Sequence, residues 1–174
     1  GRIGYDALFS GASDNASGTA TMLYMAKYYV AHPQKYSIAF IAFSGEEAGL
    51  KGSEYYVHHP IFPLKSIRFL VNLDIMADAS NGVTVVNATE FPKEFSLLQN
   101  LNDQKKYLPE IKTRGKAANS DHYHFSENGV PAFFSYTNGG PGYYHDVFDR
   151  STTITMKNVD RLCYLLQDFI EKLQ

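Results

Sequence analysis

The stretch Ser37-Ile38-Ala39-Phe40-Ile41-Ala42-Phe43, bounded by Lys35-Tyr36 and Ser44-Gly45 and followed at once by Glu46-Glu47, decides the fold class. A nearly unbroken apolar run of this length is expected to be a single strand, covered on both faces because no polar side chain alternates with the apolar ones. Ile67-Arg68-Phe69-Leu70-Val71-Asn72-Leu73-Asp74 reads the same way and also ends in a carboxylate. Val83-Thr84-Val85-Val86, after the turn signal Asn81-Gly82, and Pro131-Ala132-Phe133-Phe134-Ser135-Tyr136 supply two more strands.

Helical patterns separate these runs. One starts near Ser17, with Ser17 or Asn15 as N-cap and Met22, Met25, Ala26, Tyr29 and Val30 at helical spacing, and stops before His32-Pro33. A second runs from near Gly52-Ser53 to His58-His59-Pro60, where the paired histidines read as a solvated helix end. A third opens at Phe91-Pro92-Lys93 and carries Phe95, Leu97, Leu98 and Leu101. The clearest, residues 156–173, lines up Val159, Leu162, Cys163, Leu166, Phe169, Ile170 and Leu173 on one stripe. Residues 1–13, rich in Gly and Ser and without periodicity, read as loop. Strands alternating with helices predict a three-layer α/β/α domain with a largely parallel, mixed central sheet, in which functional groups gather at strand ends.

The 174 residues are the length of one domain with a sizeable core. A hydrophobic share of 44% and a charged share of 20% exclude a mainly disordered, collagen-like or coiled-coil chain. The formal net charge of -2 provides no field to attract nucleic acid or an anionic membrane. No stretch approaches the roughly 20 apolar residues of a membrane span, and no charged n-region followed by an apolar h-region opens the chain. Cys163, the one cysteine, stands among apolar residues and reads as a small core side chain. Phe133, Phe134, Tyr136, Tyr143 and Tyr144 cluster within a dozen positions, a candidate pocket wall beside the loop Thr137-Asn138-Gly139-Gly140-Pro141-Gly142, which reads as a flexible substrate-side rim or a plain turn.

Asp14 precedes a helix, Glu46 and Glu47 follow one strand, Asp74 ends another, and His145 lies in the loop after a third. Each has an ordinary reading on its own: a helix N-terminal charge, a solvated pair, a surface histidine. Together they point elsewhere, because carboxylates at the ends of buried strands with no basic neighbour need a compensating cation. Carboxylate and imidazole donors suit Zn²⁺, and a catalytic zinc takes about three protein ligands and one open position. Of two adjacent glutamates, one can bind metal while the other takes a proton.

In order and spacing, Asp14-Asn15-Ala16-Ser17-Gly18, Gly45-Glu46-Glu47-Ala48-Gly49-Leu50-Lys51-Gly52-Ser53, Asn72-Leu73-Asp74, Ser120-Asp121-His122 with Phe125, and Tyr144-His145 with Asp149 resemble the successive signatures of the M28 zinc peptidases. The resemblance covers roughly residues 11–149. It implies a zinc-exopeptidase-like fold with a mixed sheet, Asp14 as a carboxylate bridging two zinc ions, Glu47 and His145 as ligands of one, Asp74 as a ligand of the other, and Glu46 as general base. Asp121 and His122 become supporting residues rather than ligands, although two histidines two apart, His122 and His124, would share a metal if they sat on a strand face. Asp149 is expected to hold the loop or the imidazole. The implied activity is that of a zinc-dependent exopeptidase, foremost an aminopeptidase acting on peptides, exported from the cell or to the periplasm. A glutaminyl-cyclase-like single-zinc acyl transferase and a catalytically dead binding domain are the alternatives.

One departure stands out. Family members carry a His-X-Asp pair shortly before the Asp-Asn-Ala-Ser-Gly segment, and none lies between Gly1 and Ser13; the histidines are His32, His58, His59, His122, His124 and His145. The expectation is a catalytic domain lacking its N-terminal portion, holding at most one of the two zinc ions well and with little peptidase activity. An exposed sheet edge is also expected.

Overall fold

The structure, a computed structural model, describes residues 7–173; the first six residues of the expected N-terminal loop lie outside the described part. Four strands, β1 (Leu70–Leu73), β2 (Val83–Val86), β3 (Ile111–Thr113) and β4 (Ala132–Thr137), form one sheet in the order β1-β4-β2-β3. β1 and β4 are parallel with Leu70 opposite Ala132, β2 and β3 are parallel with Val83 opposite Ile111, and β2 and β4 are antiparallel with Val83 opposite Thr137. The sheet is therefore mixed, as expected.

Helices cover both faces. α1 (Gly18–Ala31), α3 (Pro92–Lys105) and α5 (Val159–Lys172) pack on one side, where Met25, Tyr29, Phe95, Leu98, Leu162, Leu166 and Phe169 meet Val83, Val85 and Phe133. α2 (Lys51–His58) and α4 (His122–Glu127) cover the other, where Tyr56, Val57 and Phe125 form a smaller cluster with Leu70 packed against it. Pro92 occupies the first turn of α3, where its missing N–H costs nothing. Of the α5 stripe, Val159, Leu162, Cys163, Leu166 and Phe169 are buried as the spacing predicts, and Ile170 and Leu173 are partly buried. On α1 the stripe holds at Met25 and Tyr29, but Val30 is exposed, one residue before the helix ends. Phe133 and Phe134 are core residues, so of the late aromatic cluster only Tyr143 and Tyr144 are exposed. The loop after β4 is tied down at its start, with Asn138 and Gly139 donating to the carbonyls of Gly82 and Asp78.

The run that set the fold class departs from expectation. Residues 37–43 keep strand-like alternation: Ile38 packs on the α1 side and Phe40 faces Tyr29, while Ile41 and Phe43 pack on the α2 side. Yet among the described residues this segment makes no backbone hydrogen bond and belongs to no sheet. A groove of about 800 Å³ separates it from residues 66–74 and opens at one end onto Asp14, Glu46 and Asp74. β1 is consequently an edge. Leu70 and Asp74 donate their N–H groups to Pro131 and Ser135, so the alternating residues Val71 and Leu73 turn theirs toward the groove. Among the described residues that edge is met at Leu73, by Asn15 Nδ2 at 3.0 Å from its carbonyl.

Candidate metal centre

Asp14 lies in an irregular turn, Ala12–Ser17, that feeds α1 and contains a cis peptide between Asp14 and Asn15. Asn15 anchors the turn. Its Oδ1 accepts the N–H of Gly18, capping the helix, and that of Ile75, while its Nδ2 reaches Leu73, so the start of α1 is stitched to the end of β1. Gly18 must be glycine, because a Cβ there would stand 2.4 Å from the Leu73 carbonyl oxygen. Asp14 and Asp74 are thereby brought to the same end of the sheet.

Glu46 and Glu47 sit in the turn between residues 37–43 and α2. Gly49 and Leu50 donate to the Glu46 carbonyl at 2.9 and 2.8 Å, and Lys51 donates to that of Gly45. His145 follows β4, in a left-handed conformation at φ 53°, its ring stacked on Tyr144 with centroids 3.8 Å apart. Its Nε2 lies 3.2 Å from Asp14 Oδ2 and 3.0 Å from Glu47 Oε1. Single ligand atoms of Asp14, Glu47 and His145 all fall within 4.8 Å of one another. Ligands bound at 2.0–2.1 Å in a tetrahedral zinc shell stand about 3.3 Å apart, so the spacing already fits a shared ion.

Asp74 stands outside this three-way cluster. Its carboxylate is buried; Oδ2 accepts from Ser120 Oγ at 2.8 Å, and that hydroxyl accepts from Asn72 Nδ2 at 2.7 Å. Its other oxygen, Oδ1, is buried with no hydrogen-bond partner among the described residues, and a cation would supply one. Glu46 is half-buried beside the cluster and does not join it. Asp121 accepts a short 2.5 Å hydrogen bond from Ser53 Oγ, tying α4 to α2. His122 is fully buried, and burial pushes its pKa down to about 4, so it stays neutral. Because these residues are on a helix rather than a strand, His122 and His124, two apart, face different directions and do not form a ligand pair. His58 and His59 are exposed at the end of α2, as read.

The electrostatics express the same crowding. Burial, then the charges of Asp74 and Glu47, raises the Asp14 pKa to about 7. Glu46 is also raised to about 7, by burial and then by Asp74, Glu47 and Asp121. Burial pushes Asp74 upward too, against the pull of the Ser120 hydroxyl. Without a cation, a native state with raised carboxylate pKa values binds more protons than the unfolded chain between the ordinary carboxylate range near pH 4 and about pH 7, so stability falls as pH rises through that window. Thermal unfolding in chelator should show this fall, and Asp14→Asn should flatten it. Zinc at a hundredfold excess over its Kd should restore about 2.7 kcal/mol at pH 7, a Tm rise of roughly 5–10 °C for a chain of this size. An identical pH slope in parent and D14N would refute the assignment.

This acidic, imidazole-bearing cluster beside one end of a mixed α/β sheet is a candidate divalent-metal centre. The chain belongs to peptidase family M28, which it matches over residues 3–170. It is 34% identical to Aminopeptidase YwaD of Bacillus subtilis (strain 168) over 123 residues, 69% of this chain and 27% of that protein. Its fold superposes with a TM-score of 0.79 on BSAP, a zinc aminopeptidase from Bacillus subtilis, at 26% identity, covering 92% of this chain and 41% of that one. A glutaminyl cyclase from an Acidobacteriales bacterium shares the fold, with a TM-score of 0.72 at 21% identity, covering 97% of this chain and 64% of that one. The chain thus spans about a quarter to two fifths of the length of the two B. subtilis relatives and just under two thirds of the cyclase.

The resemblance carried the five site residues, but local sequence held no sign of the Ser53–Asp121 contact. Its partners lie 68 positions apart, in two different signatures, and nothing local pairs them.

Proposed function

We propose that this chain forms the zinc-binding catalytic domain of an exopeptidase, an aminopeptidase that removes N-terminal residues from peptides. The convergence of Asp14, Glu47 and His145 within 4.8 Å carries the reading, and the names of the B. subtilis relatives support it. A zinc ion bound there supplies a Lewis acid for the scissile carbonyl and acidifies water. Asp14 and Glu47 offset its charge, and His145 contributes the nitrogen donor. Glu46, adjacent to a ligand but outside the cluster, takes the proton of the attacking water and returns it to the leaving amine. Ser120 and Asn72 hold Asp74 through Oδ2, and Oδ1, with Asp14, would offset the charge of a further cation. The groove end gives the substrate access, with Tyr144 beside His145.

The chain's own residues complete one three-ligand set, whereas the pair Asp14 and Asp74 has no histidine. Metal analysis is expected to find one zinc tightly held per chain, and two would overturn that count. Assays on aminoacyl-arylamides and on peptides with N-terminal glutamine test the activity itself. Hydrolysis of the former, weak in this chain, is the expected result; cyclisation of the latter without hydrolysis would sink the aminopeptidase reading.

A further inference from the structure

Asp149 is almost wholly buried, and no cation stands within ion-pair distance of it among the described residues. Both of its oxygens are used. Oδ1 accepts the backbone N–H of Ser13 at 2.7 Å, and Oδ2 accepts that of Asp14 at 3.0 Å, across 136 and 135 positions of sequence. Two successive amides converging on one carboxylate make an anion-binding concavity, which is how a buried negative charge is stabilised without a counter-ion. The turn presents those amides because Gly11 takes a left-handed φ of 61° and its carbonyl accepts from Ala16, while Ser17 Oγ closes onto the Ser13 carbonyl. A Cβ at Gly11 would stand 2.5 Å from the Asp14 carbonyl oxygen.

Asp149 lies four positions after His145, so the same short loop that carries the imidazole also grips the backbone of Asp14. The imidazole meets the cluster through Nε2, and the Asp149 oxygens are committed to the amides, so this carboxylate acts on the Asp14 side of the centre rather than by orienting the ring.

We infer that Asp149 is a positioning residue that sets the separation of Asp14 from His145 and thereby the affinity of the centre for zinc, without touching the ion. This rests on the reading of Asp14 as a zinc ligand. In the Asp149→Asn variant the shape is kept, but the charge is lost and an NH₂ group is set against an amide donor. Removal of such supporting contacts costs metal sites about 10–100-fold in affinity.

The test measures zinc affinity by chelator competition, the visible spectrum of the Co²⁺ form, and thermal unfolding in chelator, for the parent, D149N, D149E and D14N. The proposal expects D149N to bind zinc 10–100-fold more weakly with an altered Co²⁺ spectrum, and D149E, which keeps the charge but lengthens the arm, to fall between D149N and the parent. A D149N protein that folds only when zinc is added also supports it, since the ion would then be joining the two loops. Lower unfolding temperatures in chelator with unchanged zinc affinity and Co²⁺ spectrum would overturn it as a purely structural contact. If D149N does not fold even with zinc, D149E binding as tightly as the parent overturns it. Failure of the underlying reading looks different: D14N itself would leave zinc affinity unchanged.

Discussion

Replacing His145 with Ala is expected to weaken zinc binding by well over the 10–100-fold that loss of a supporting contact costs. The cluster has one nitrogen donor, and its Nε2 approaches Asp14 and Glu47 at 3.2 and 3.0 Å. Without it, two carboxylates remain, an all-oxygen set that suits Mg²⁺ or Ca²⁺ and leaves like charges facing each other. Selectivity should therefore change along with affinity, zinc losing more than magnesium. His145 has a left-handed φ of 53°, a region that Asn tolerates better than most residues. His145→Asn is thus the control for backbone strain and should also lose zinc. Competition against a chromophoric chelator measures both, and an H145A protein binding zinc as tightly as the parent would remove the imidazole from the centre.

Replacing Glu46 with Gln should have its effect on turnover instead. Gln keeps the size of the side chain and can accept a hydrogen bond, but it cannot take a proton from water. General-base catalysis is worth about 10²–10⁴-fold, so kcat of the zinc-loaded protein on an aminoacyl-arylamide should fall by that factor while KM moves little. Zinc content should be unchanged, because Glu46 stands outside the group of ligand atoms that share the ion. The matching substitution at the neighbouring position, Glu47→Gln, should lower zinc affinity first. The contrast between adjacent glutamates separates the two roles, and loss of zinc from E46Q would merge them.

Much of this was legible before any coordinates, for a physical reason. A carboxylate placed abruptly at the end of an apolar run is conspicuous, which is why Glu46, Glu47 and Asp74 stood out, and side-chain periodicity says which way residues face. The expected cover on both faces of residues 37–43 is there, with Ile38 packed on the α1 side and Phe43 on the α2 side. Periodicity does not say whether a neighbouring strand is present to complete the ladder, so residues 37–43 were expected in a sheet they do not join. β3, with one apolar residue in three, and α4, six residues long, are too short to show a period. The contacts that hold the site together are less visible still. Asp149 and Asp14 are 135 positions apart, and nothing in either neighbourhood reveals that one grips the other.

The groove beside β1 makes mechanical precision at the site uneven. Asp14 and Asp74 are moored to the ladder through Asn15 and through the Asp74 N–H on Ser135, so they inherit the stiffness of the sheet. Among the described residues the Glu46 backbone is held from downstream, by the amides of Gly49 and Leu50 on its carbonyl, and the segment 37–43 that leads to it makes no backbone hydrogen bond. Glu46 and its neighbour Glu47 therefore share the mobility of that turn, and a drift of it moves both relative to Asp14 and Asp74, which follow the sheet.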